Sequence, residues 1–131
     1  MSEDGVLFGL EVRTRRDPLV IALWGELDVL ATLGLSDRLT RLVQQDCAFV
    51  VLDLLDVSFL DCGGLRLLLR VRHRVRAGHG RLILVLDQPF LLSFLLLAGL
   101  DGVFDVVGDL DSALARRFDP PHGQGTPDIA V

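Results

Sequence analysis

Residues 49–65 read Phe-Val-Val-Leu-Asp-Leu-Leu-Asp-Val-Ser-Phe-Leu-Asp-Cys-Gly-Gly-Leu. Phe49 to Leu54 is a short apolar run that suits a buried strand. Asp56 to Gly64 reads as a loop. Beyond it Leu65, Leu68, Leu69, Val71 and Val75 recur until Gly78-His79-Gly80 stops them, which predicts a helix of about four turns. Strand, loop and helix in that order make the first half of a crossover, the connection that joins parallel neighbours in a sheet.

The flanking sequence repeats the unit. Upstream, Phe8 to Arg13 alternates apolar and polar residues, Asp17-Pro18 marks a turn, and Leu19 to Trp24 is apolar, which together predict a β-hairpin. After Gly25-Glu26-Leu27-Asp28, the residues Leu35, Leu39, Leu42 and Val43 keep helical spacing to about Gln45. Downstream, Arg81 to Leu86 reads as a strand, Pro89 to Gly99 as a helix, Val103 to Val107 as a strand and Asp111 to Arg117 as a short helix. The order is ββαβαβαβα, an α/β fold with a mixed, mostly parallel sheet and right-handed crossovers. Loops at the carboxyl ends of parallel strands gather on one rim. Here that rim holds Gly25 to Asp28, Asp56 to Gly64 and Asp87 to Pro89.

The chain has 131 residues, half of them apolar, enough for one domain with a full core. Residues 1–7 read as an N-terminal extension, 8–117 as the domain, and 118–131, rich in Pro, Gly and Asp, as a disordered tail. The net charge of −5 argues against sequence-independent nucleic-acid binding and against anionic membranes. The apolar stretches fall short of the roughly 20 residues a spanning helix needs. Cys47 and Cys62 have no metal spacing, and no charged segment followed by an apolar core opens Met1 to Leu10, so a reduced cytoplasmic setting with no metal or cofactor is expected.

Gly25-Glu26-Leu27-Asp28, the run Val50 to Leu54, and Asp61-Cys62-Gly63-Gly64-Leu65, followed by Gly78 to Gly80, Pro89 and Ala98-Gly99-Leu100, resemble the STAS family of anti-sigma factor antagonists over roughly residues 8 to 117. The resemblance implies the same ββαβαβαβα fold and a non-enzymatic role, binding a serine-kinase type of anti-sigma factor to release a sigma factor. It also implies a switch by phosphorylation of the Ser or Thr after the loop Asp. That position is Cys62 here, and the next family Ser is Gly63, so the switch is expected to be lost. The expected docking surface is Asp28, Asp56, Ser58, Asp61, Cys62, Gly63, Gly64, Arg66 and Arg70.

Other readings of these residues compete. Cys62 at a helix N-terminus could be a redox thiol, although Asp61 opposes thiolate formation. A C-x5-R phosphatase loop is excluded because Leu68 stands where its arginine would. Asp28 and Asp61 are better read as turn and cap residues than as an acid/base pair. Gly63-Gly64 is too short for a phosphate-cradling loop, and His73, His79 and His122 lack ligand spacing. Arg66, Arg70 and Arg74 form a basic stripe, either solvated or facing an acidic partner. In the helix from Phe90 to Ala98, Leu91, Phe94, Leu95 and Ala98 supply an inward stripe, leaving Leu92 and Leu96 outward as a homodimer or docking patch. That patch also suits a STAS subunit of a transporter or lipid-trafficking assembly.

Overall fold

The computed structural model describes residues 7–44, 47–100 and 102–118. Strands β1 (Phe8–Thr14) and β2 (Leu19–Leu27) form the hairpin, and helix α1 spans Val29–Leu42. Then come β3 (Phe49–Leu60), α2 (Cys62–Ala77), β4 (Arg81–Val85), α3 (Pro89–Leu97), β5 (Asp105–Val107) and α4 (Leu110–Ala115), the last continued by a single 3-10 turn, Arg116–Phe118. The strands lie side by side in chain order, β1 antiparallel to β2 and every later pair parallel.

A strand order that never reverses has a consequence for the helices. Right-handed crossovers that all step in one direction must put their helices on one face of the sheet. The core has that form. Ile21, Leu23, Leu52, Leu54, Leu82 and Leu84 point to the face where Leu35 and Leu39 of α1, Leu68 and Val71 of α2, and Leu91 and Leu95 of α3 are buried. The alternate strand residues Val20, Val51, Ile83, Val85 and Val107 face the other way and pack with Ala113 of α4. Period-two alternation thus feeds two cores from one sheet.

Polar side chains fasten the outer elements. Asp53, buried on the α4 side, binds Arg13 of β1 at 2.7 Å and accepts from the Leu55 N–H at 3.0 Å. Arg72 of α2 donates to the Val103 carbonyl at 2.9 Å, and burial, with neighbouring Arg76, lowers its pKa. Arg74 donates to the Val43 carbonyl at the end of α1.

Four sequence expectations change. The segment Asp56 to Leu60 is strand, not loop, because β2 also runs on through Gly25-Glu26-Leu27 and supplies a parallel partner, with register shifts on either side of Trp24-Gly25. The helix begins at Cys62 rather than near Leu65. The last strand is only Asp105–Val107, since Val103 lies in a turn and Phe104 makes an isolated bridge. Ala98 caps the end of α3 and is exposed, not part of its inward stripe. His122 and the tail from Asp119 lie outside the described residues.

Candidate functional site

The carboxyl ends of β2 and β3 are held together, with Glu26 opposite Phe59, Leu27 opposite Leu60, and the Asp61 N–H 3.4 Å from the Leu27 carbonyl. Both strands therefore deliver a helix at the same place. Asp28 caps α1 by accepting from the Ala31 N–H at 3.0 Å. Asp61 caps α2, its Oδ1 taking the Gly63 and Gly64 N–H groups at 2.8 and 3.2 Å. Each carboxylate satisfies donors that a helix start leaves open, and its charge sits favourably on the positive end of the dipole.

The paired glycines let the two helix starts touch. A Cβ on Gly63 would stand 2.8 Å from Val29 Cα, and one on Gly64 would run into the Leu27 carbonyl and lie 2.6 Å from Leu60 Cδ1. The Gly63 carbonyl in turn accepts from Thr32 Oγ1 of α1 at 2.7 Å. Thr32 is buried, and its hydroxyl spans the two helices. Cys62 is left as the first residue of α2, exposed, directly after the capping Asp61.

Charged residues of both signs flank Cys62 along the chain. Asp56 and Ser58, on the part of β3 that outruns β4, are exposed, while Asp28 and Asp61 are half-buried with one oxygen committed to backbone. Arg66 and Arg70, further along α2, are both exposed. Arg70 donates to Ser36 Oγ of α1 at 2.8 Å, and Arg66 makes no ion pair among the described residues. Asp28, Asp61, Cys62, Gly63 and Gly64 thus sit where α1 and α2 begin, with Arg66 about one turn and Arg70 about two turns further along α2. Among the described residues no group of three or more His, Cys, Asp or Glu could hold a metal ion. Cys47 is half-buried, with its thiol 3.7 Å from the Leu42 carbonyl.

The family model for the STAS domain matches residues 9–113. The chain is a STAS domain protein. Among solved structures, it is similar to an anti-sigma factor antagonist from Mycobacterium paratuberculosis, at 26% identity and a TM-score of 0.74, over 82% of this chain and 92% of that one. SpoIIAA, described as a Bacillus cell fate determinant in its phosphorylated form, is 27% identical with a TM-score of 0.62, over 84% of this chain and 98% of that one. The unphosphorylated form of the anti-sigma factor antagonist SpoIIAA gives 26% identity and 0.68, over 84% and 94%. None of the curated proteins matches the sequence significantly.

Two features of this STAS domain are absent from the sequence reading. Val29, Leu30 and Leu33 of α1 are apolar and exposed, and Val29 lies against Gly63. The helical phase carried the signal, since stepping back by four from Leu39 and Leu35 lands on Ala31 and leaves these three outside the buried stripe. Gln88, the N-cap residue of α3, donates its amide to the carbonyls of Leu54, Leu55 and Val57 at 2.8, 3.0 and 2.9 Å. Those carbonyls lie where β3 has outrun β4, which pairs only as far as Asp53. No sequence pattern marks such a role. On α3 itself Leu92 and Leu96 are exposed together with Phe90 and Leu97, the last with 85% of its surface open. No described helix is long and apolar enough to cross a membrane.

Proposed function

We propose that this protein is a non-enzymatic anti-sigma factor antagonist of the cytoplasm that docks onto a kinase-type anti-sigma factor without the serine phosphorylation switch. The docking surface is the rim built from Asp28, Asp56, Ser58, Asp61, Cys62, Gly63, Gly64, Arg66 and Arg70. The observation that carries the reading is the exposed thiol at the first residue of α2, between the capping Asp61 and Gly63. A hydroxyl there would be open to a kinase, and a phosphate on it would add roughly two negative charges to a rim that already holds three aspartates. A thiol is not a serine-kinase acceptor. The rim keeps one charge state, and the protein stays competent to bind.

Incubation with the cognate kinase and ATP, followed by intact-mass measurement, tests this. The native chain should keep its mass, and Cys62→Ser should gain a phosphate. A phosphate on the native chain, at Ser58 or elsewhere, would reject the constitutive reading.

The uncharged, exposed face of α3 with Phe90, Leu92, Leu96 and Leu97 favours a second role, as a homodimer contact or as the attachment face of a transporter or lipid-trafficking assembly. Concentration-dependent mass in solution separates the first from the second.

A further inference from the structure

Val29 and Leu33 stand 59% and 75% exposed on the first turns of α1, where a soluble helix normally carries polar side chains. Together with Thr32, Ser36, Asp37, Gly63, Arg66 and Arg70 they line an open groove of about 440 Å³ between α1 and α2. At its base Gly63 lies so close to α1 that a Cβ would stand 2.8 Å from Val29 Cα. One wall offers apolar surface. The α2 side offers two guanidiniums, neither of which meets a carboxylate among the described residues, since Arg70 binds only the Ser36 hydroxyl. Asp37 is the single acid lining it, so the cations prevail two to one.

We propose that this groove takes an acidic amphipathic segment of a partner protein, a bulky apolar side chain seated against Val29 and Leu33 with adjacent carboxylates on Arg66 and Arg70. Apolar wall and unpaired guanidiniums in one groove call for both features in one ligand, because either alone leaves half of the lining unmatched. A nucleic acid would bring phosphates but no aliphatic anchor, and a chain with a net charge of −5 repels polyanions at longer range. The occupant rests on the docking role proposed above and deepens it: a segment lying against Gly63 passes beside residue 62, so the partner senses what stands there.

Selection of short random peptides displayed on phage against the immobilised full chain tests the groove without the anti-sigma factor. The recovered peptides should combine Asp or Glu with Leu, Ile or Phe. Their binding should fall by roughly tenfold on Leu33→Asp and on Arg66→Glu, as losing an anchor or a charge partner does. Both residues are exposed, so both variants should melt with the native protein, and Arg38→Glu serves as a surface-charge control that binds normally. Peptides without acids, equal binding to the variants, or no enrichment over bare support would overturn the assignment. Because no kinase is present, those failures leave the anti-sigma factor reading standing, whereas a kinase that does not bind the native chain would defeat that reading and not the groove's own specificity.

Discussion

Asp61 is the whole connection between β3 and α2, so one residue must end a strand, turn the chain and satisfy the first donors of a helix. Its Oδ1 does the last by taking two N–H groups. Asp61→Ala should cost about 1 kcal/mol, as loss of a capping side chain does, and Asp61→Asn, which keeps the acceptor, should cost less. Urea titration of both variants measures the difference. At the next position a charge should act on binding rather than on folding. Cys62→Asp leaves the core untouched and places an anion at the docking rim, so calorimetric titration with the anti-sigma factor should show weaker binding at an unchanged melting temperature. The roles of Asp28 and Asp61 as caps were legible from residue type and position. The contact of Gly63 with Val29 was not, because it depends on two helix starts meeting in space.

Among the elements, β3 departs furthest from what its sequence suggested. Asp56 and Ser58 look like loop residues, and in isolation they would be; they are strand because β2 continues beside them. The buried half, Phe49 to Leu54, was plain in the sequence as an apolar run. The projecting half was not, since pairing is a property of two segments and the register shifts that permit it leave no local mark. On the far side of β3 the missing neighbour is replaced by the Gln88 amide. Gln88→Ala should therefore destabilise by about 1–3 kcal/mol, the cost of leaving buried backbone acceptors unmet. Gln88→Glu should be no better, because a carboxylate facing three carbonyls has nothing to donate. Amide exchange should quicken at Leu55 to Phe59 in both. For α3 the inward residues Leu91 and Leu95 were readable, but a helix apolar on nearly every side gives no clear phase, which is why Ala98 was misplaced.

At the scale of the whole molecule, the unreversed strand order explains why function falls on a surface. Open parallel sheets make ligand crevices where the strand order switches direction. This sheet has no such switch, and its crossover helices share one face, so the rim presents helix ends and grooves instead of a deep cleft. The remaining apolar face, on α3, can be tested on the intact protein. Leu92→Glu with Leu96→Lys should move any oligomer toward monomer in sedimentation experiments while shifting stability by only about 0.5 kcal/mol per site, since both side chains are exposed, 44% and 59%. A large loss of stability would mean that these leucines are packed.

Sequential strand order also bears on how the chain comes to be folded. Each parallel strand finds its partner one helix earlier in the sequence, so no strand has to be inserted between two that are already paired. Loop closure is paid in short, similar steps, which keeps contact order low for a parallel sheet. A nascent chain leaving the ribosome could dock β2 on β1, then β3 with α1, then β4 with α2, growing the sheet at a single edge. The outer edge of β1 stays open throughout, but the growing edge is always the one that the next segment to emerge will cover, which shortens the time during which that backbone is available to a neighbouring chain.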